Sequence, residues 1–318
     1  MALSNMKVFN EYLYNPTIET LAQMVEKFNA ASRGAIRLST EGFTGDFKLE
    51  AMFKALHSAQ RRVNRYNTNG SVSATNLEQI QMNSVKVAGG FGPIAFEPGQ
   101  LTWILQNEAQ AVEVISRNLA EAIMRDMLNS GLASAIAAIE AQTTATTFDT
   151  GTGPITLRDI NQAHAKFGDM SQAIVADVMD GATYHALVDN ALANAERLFQ
   201  SDNIMVLDLL GKAIVVTDAP ALRETGTGAD QKVVSLVTDG LIVHDAGDLV
   251  TNIETNNGKA RIETTMQADY TFGIGLKGYA WDTSVKSPTD AEIATGGNWT
   301  KVATSIKNTA GVLTLANI

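Results

Sequence analysis

The chain has 318 residues, 45% of them hydrophobic, with 24 Lys and Arg against 34 Asp and Glu and a net charge of -10. That length and apolar content suffice for a sizeable core in one large domain or two, while the acidic excess repels phosphate and argues against non-specific nucleic-acid binding. The absence of cysteine excludes a disulfide scaffold, a thiolate metal site and a thiol nucleophile. The acidity is concentrated late in the chain, where 21 acidic residues face 12 basic ones beyond Ala141.

The N-terminus, "MALSNMKVFNEYLYNP", has no basic stretch followed by an apolar run, and no segment approaches the roughly 20 apolar residues of a membrane span. An aqueous compartment and no membrane partner are therefore expected. The first predicted helix begins at Asn15 as N-cap with Pro16 in the first turn, and Ile18, Leu21, Ala22, Val25 and Phe28 follow at helical spacing. "GAIRLSTEGFTGD" (34–46) reads as an extended segment and a turn. "FKLEAMFKALHSAQRRV" (47–63) reads as a second helix, with Leu49, Met52, Phe53, Leu56 and Val63 on one side. From Asn64 to Gly99 the chain is polar and glycine-rich, with one alternating run, "SVKVAGGFGPIAFEP" (84–98). An excursion of this length is usually functional.

Residues 101–142 contain neither proline nor a turn cluster, and Val112, Ile115, Leu119, Ile123, Met127, Leu132, Ile136 and Ile139 recur every three to five positions. A helix of that length would span roughly 60 Å, about twice a small domain, and is a strut. Its drifting heptad register favours packing across a sheet over a coiled coil. After a Thr-rich turn (143–154), Thr156 caps a helix ending near Phe167, 172–179 reads as a buried strand and 181–199 as a helix. Segments 204–220, 232–247 and 260–282 read as strands, and the tail from Trp299 as a further strand pair. The class is α+β.

No constellation carries a reaction. Gly273-Ile-Gly275-Leu-Lys-Gly278 fits G-x-G-x-x-G, but a dinucleotide loop must leave a strand and open a helix. Here the alternation continues through the glycines and "DTSVKSPTD" follows. A glycine-bearing strand face implies instead that the long helix or a crossing backbone sits close over Gly273, Gly275 and Gly278. "AGGFGPI" (88–94) lacks the Gly-Lys ending of a phosphate loop. His185 with Asp189, and Asp239, His244, Asp245 and Asp248 around one turn, are the candidate acid/base or hard-metal groups, although exposed pairs and solvated turns account for them. Arg61, Arg62 and Arg65 form the only basic cluster, and pairing with another subunit's carboxylates is preferred over DNA contact.

The order of elements, together with "MALSNMKVFNEYLY", "NLEQIQMNSVKVAGGFGPI" (76–94), "AIVADVMDGATYHALVDNA" (173–191) and "GIGLKGYAWDTSVKSPTDAEIAT" (273–295), resembles the major capsid proteins of tailed bacteriophages, which share the Hong Kong 97 type of fold, and most closely those of short-tailed phages. The resemblance implies an N-terminal arm (1–33), an extended loop that reaches over an adjacent subunit (34–99), the spine helix of the peripheral domain (100–149), an axial domain (150–260) and return strands with a C-terminal tail (261–318). It also implies a non-enzymatic protein without catalytic residues, metal or cofactor. Such a protein self-assembles into pentamers and hexamers, forming an icosahedral shell around double-stranded DNA that it does not read. Scaffolding, portal and cement proteins are the implied partners, the host bacterial cytoplasm the place of assembly and the virion the destination. Phe43, Arg61, Arg62, Arg65, Phe91 and Pro93 are the expected assembly contacts. An encapsulin-like compartment shell is the alternative, and a nucleotide-binding enzyme the second.

Overall fold

The structure, a computed structural model, describes residues 3–39, 45–53, 59–67, 70–97, 108–198, 211–224, 230–258 and 262–317. The first helix, α1 (Leu3–Ala31), starts well before the expected cap at Asn15 and carries Pro16 inside it. Proline removes a backbone donor and costs a helical hydrogen bond, so packing must hold the helix together across that point. Leu21 and Val25 are buried in the main core, and α1 lies against the long helix α2 (Glu108–Glu140). Asn29 then fixes the exit of the chain: its side chain donates to Leu38 O and accepts from Leu38 N, both at 2.8 Å. That clamp sets the direction of β1 (Ile36–Ser39).

The segment expected to be a helix at 47–63 begins as a strand, β2 (Phe47–Phe53), paired antiparallel with the first half of β3 (Gln79–Phe96) from Phe47↔Val85 to Phe53↔Gln79. "FKLEAMF" satisfies both periods: Leu49, Met52 and Phe53 suit a helix, while Phe47, Leu49, Ala51 and Phe53 alternate as a strand requires. A partner strand some 30 positions away, invisible to local periodicity, supplies the ladder and decides the matter. The Lys48–Glu50 ion pair at 3.3 Å is the same-face i, i+2 contact of a strand. Residues 59–67 and 70–78 form no strand or α-helix, and all are exposed.

The helix α2 covers 33 residues, about 50 Å at 1.5 Å per residue. Residues 101–107 of the predicted spine lie outside the described residues. Leu119, Ile123, Met127, Leu132, Ile136 and Ile139 are buried along it. It crosses a sheet in the order β1-β8-β10-β3-β2, made with β8 (Leu241–Asp245) and β10 (Glu263–Leu276), while β9 (Val250–Asn256) pairs with the first part of β10. The helix lies close to the sheet at Gly131, where a Cβ would sit 3.1–3.2 Å from the Leu241 and Val243 side chains.

A second sheet runs β4-β13-β7-β5-β6, from β4 (Thr147–Thr152), β13 (Gly311–Asn317), β7 (Asp230–Val237), β5 (Ile174–Met179) and β6 (Ala213–Val216). The Thr-rich turn expected at 143–154 thus contains an edge strand, held parallel by β13. β5 and β7 are almost wholly buried, the pattern of strands covered on both faces. Helix α3 (Leu157–Ala165) starts at Thr156 as expected, with a capping box in which Thr156 N and Oγ1 both donate to Asp159 Oδ2, at 2.9 and 2.6 Å. Ile160 of α3 and Leu187 of α4 (Gly181–Leu198) share a small core with Met179 and Val233.

The tail does not form its own strand pair. A short β12 (Trp299–Lys301) joins β11 (Tyr279–Trp281), and β13 enters the second sheet between β4 and β7. Consequently neither sheet coincides with a continuous stretch of chain: β8 and β9 lie with β10 and β3, and the C-terminal strand lies with β7.

Candidate assembly site

The glycine pattern at 273–278 is not a phosphate cradle. β10 runs through Gly273 and Gly275 to Leu276, and Gly278, at φ 80°, makes the turn into β11. Nor do these glycines admit the spine helix. Tyr270 of β10 donates its hydroxyl to Asp126 Oδ2 of α2 at 2.7 Å, so the even-numbered face meets the spine. The odd-numbered face carries Thr271, whose Oγ1 donates to Asp248 Oδ2 at 2.6 Å beside Lys86, and by alternation also Gly273 and Gly275. A Cβ on Gly275 would strike Ser84, its partner across β3, and one on Gly278 would come within 2.7 Å of Asn308 O. The close neighbour of Gly275 is thus the sheet's own strand, and that of Gly278 the C-terminal loop. Gly275→Ala should lower the unfolding midpoint in denaturant by the equivalent of about 1 kcal/mol, with most of the loss recovered when Ser84→Ala is added. No recovery would show that the crowding lies elsewhere.

The titratable candidates disperse. Asp239 pairs with Arg37 at 3.4 Å, Asp248 with Lys86 at 3.3 Å, and His185 lies edge-on against Tyr184. Among the described residues no three potential metal ligands converge. The structure instead assembles a group that spacing could not reveal: His164 Nε2 lies 3.0 Å from Asp177 Oδ1 and 2.9 Å from Ser235 Oγ, between α3, β5 and β7. All three are buried, Ser235 completely. The cluster ties helix α3 to strands β5 and β7.

Of the residues expected at contacts, Phe43 lies outside the described residues. Arg61, Arg62 and Arg65 lie in the exposed excursion, and none pairs with a described carboxylate. They stand on irregular chain rather than on the predicted helix. Phe91 packs partly against the core, and Pro93, after a cis bond from Gly92, is exposed.

Phe91 also borders a groove of about 660 Å³ between β3, α2 and the loop Ser287–Asp290. Its construction depends on Gly89. Gly89 faces Tyr270 across the ladder, and a Cβ there would fall 2.5–2.6 Å from the Tyr270 ring and 2.8 Å from Asp126 Oδ2. Without a side chain at 89 the ring lies over the strand and its hydroxyl reaches the spine. Burial pushes the Asp126 carboxyl above its ordinary value of 3.8, the Tyr270 hydrogen bond opposes this, and Asp290 adds to the rise. Tyr270 is raised too, first by burial and then by Asp126.

A raised carboxyl binds its proton more tightly in the folded chain than in the unfolded one, so the free subunit gains stability as pH falls from neutral towards 3.8. The cost is complete above the folded value. Asp126→Asn keeps an acceptor for Tyr270 and removes the buried charge. It should raise the thermal midpoint of the free subunit at pH 7, and the difference from the native chain should shrink on acidification. A lower midpoint at pH 7 would contradict this account.

A spine laid across one sheet, an exposed excursion between β2 and β3 and a second helix-covered sheet are together the architecture of a phage capsid subunit. The cyanophage Pam1 capsid subunit superposes with a TM-score of 0.52 at 12% identity, over 89% of this chain and 88% of that one. Chains from Mycobacterium phage Adephagia (TM-score 0.52, 10% identity, 91% and 89% covered) and Microbacterium phage Oxtober96 (0.50, 10%, 91% and 90%) share the fold. The model of the Gp13-like family, described as major capsid protein 13-like, matches residues 5–313. The chain belongs to that family, and its role is to build a viral capsid shell. No curated protein matches the sequence.

Proposed function

We propose that this chain is the repeating subunit of an icosahedral head, assembling as pentamers and hexamers around packaged double-stranded DNA. The observation that carries the reading is the excursion described at 59–67 and 70–78, which leaves Val63, Tyr66, Val72 and Leu77 in water at 57–101% exposure. A monomer gains nothing from such a segment, whereas a ring or shell buries it repeatedly. In this reading α2 is the spine of the peripheral domain, β2, β3 and the excursion are the extended loop, and the second sheet with α3 and α4 is the axial domain. Each contact can be weak, because many add up in a closed shell. The net charge of -10 suits a wall that encloses DNA without gripping it. Scaffolding, portal and cement proteins are the expected partners, and the host cytoplasm the expected place of assembly. Sedimentation of the protein expressed with its scaffold should show rings and larger closed species. A single monomer boundary at every concentration would defeat the proposal.

A further inference from the structure

Between the end of α1 and the second sheet lies a recess of about 380 Å³ whose described lining holds two cationic side chains, Arg33 and Lys212, and no carboxylate. Arg33 follows α1, and its Nη1 donates to Gly211 O at 3.0 Å. Lys212, just before β6, donates from Nζ to Ser171 O at 3.0 Å and to Ile174 O at 2.6 Å. The described residues thus use one of the five guanidinium donors and two of the three ammonium donors. Neither cation forms an ion pair among the described residues. Asn161 of α3, Ser171 and Gln172 add neutral polar groups to the wall. We propose that this recess binds a phosphate-class oxyanion, held between the Arg33 guanidinium and the Lys212 ammonium.

Uncompensated charge selects an anion. Burial disfavours the charged ammonium and pulls Lys212 below its ordinary value of 10.5. Asp177, whose carboxylate is engaged with His164, opposes only part of that fall. The Ser171 and Ile174 carbonyls solvate the ammonium without bringing a net charge, and an arriving anion supplies it. Two cations carried on separate segments, with amide and hydroxyl groups between them, suit a tetrahedral, multiply charged ion. The guanidinium fork adds the paired contacts that phosphate oxygens accept. The volume falls at the lower end of small-ligand sites, about 300–1,000 Å³, room for one phosphate group and not for a duplex. The net charge of -10 also repels a polyanion at each of its phosphates, whereas a single ion meets that field once. Arg33 and Gly211 are 178 positions apart, so a bound anion would tie the end of α1 to the second sheet. Binding belongs to the free subunit and needs no second copy.

Calorimetric titration of the subunit with inorganic phosphate, at ionic strength held constant with chloride, should show saturable binding, and the thermal midpoint should rise with occupancy. Phosphate also stabilises proteins by exclusion from their surface, so the variants decide. Arg33→Gln removes an exposed guanidinium and should weaken binding about tenfold or more, the effect of losing one charged contact. Lys212→Gln should do the same. No saturable heat with the native chain, or an equal midpoint rise in the native chain and in Arg33→Gln, overturns the site. Should Lys212→Gln not fold, Arg33→Gln decides, with a midpoint near the native one in the absence of phosphate as the check on its folding. A short DNA duplex at the same total phosphate should give no saturable heat. Saturable binding of the duplex without binding of free phosphate overturns the proposal in favour of nucleic acid.

Discussion

Trp299→Ala is expected to leave the subunit barely folded. Trp299 and Trp281 are each 2% exposed and meet edge to face at 4.8 Å between ring centres. Each indole N–H is used: Trp299 Nε1 donates to Ile293 O at 3.0 Å, and Trp281 Nε1 to Val285 O at 2.9 Å. The pair sits where the end of the spine meets the C-terminal part of the chain, with Gly296 so close that a Cβ would lie 2.7 Å from Ala137 O. Truncating a buried tryptophan costs about 3–5 kcal/mol, and the orphaned Ile293 carbonyl adds roughly 1–3 kcal/mol. Against a total stability of about 5–15 kcal/mol, that is most of what holds a typical domain. Equilibrium denaturation should show the loss, and Trp299→Phe should restore the ring contact without the hydrogen bond. A loss under about 1 kcal/mol would mean that the tryptophan pair does not anchor the spine.

The second large effect is on assembly alone. Arg61→Glu/Arg62→Glu/Arg65→Glu changes three exposed side chains that bear on no described carboxylate, so the circular dichroism spectrum and thermal midpoint of the subunit should stay as they are. If those charges meet carboxylates of another copy, reversal turns attraction into repulsion at every repeat of the contact. Like-charge juxtaposition at an interface costs several kcal/mol. The yield of sedimenting particles should fall at least tenfold, and Gln at the three positions should fall between. Particles at native yield from the triple Glu variant would remove these arginines from the assembly interface.

How much of this was legible beforehand depended on the range of the interaction concerned. Local signals held: Thr156 with Asp159 starts α3 where the pattern placed it, α2 follows the apolar recurrence from Val112 to Ile139, and β10 keeps its alternation through the glycines. Non-local pairing was hidden. "FKLEAMF" reads equally well with either period until β3 lies beside it, and nothing near residue 311 announces that its strand will lie between β4 and β7. Pro16 misplaced the start of α1 because a proline suited to a first turn is tolerated mid-helix where packing holds both sides. Gly273 and Gly275 lie in β10 while Gly278 makes the turn that follows, and the spine helix expected over them lies on the opposite, even-numbered face. The groove itself requires the register Gly89↔Tyr270 and the passage of Asp126 overhead at once. No single stretch of sequence contains that coincidence, nor the meeting of His164 with Asp177 and Ser235.

The central claim, a subunit that closes into a shell, is tested most directly by electron cryomicroscopy of the protein assembled with its scaffold. The account predicts closed isometric particles containing both five-fold and six-fold clusters, with helix 108–140 lying within the wall and segment 61–66 on a neighbouring copy. Monomers alone, or open fibres without five-fold closure, would contradict it.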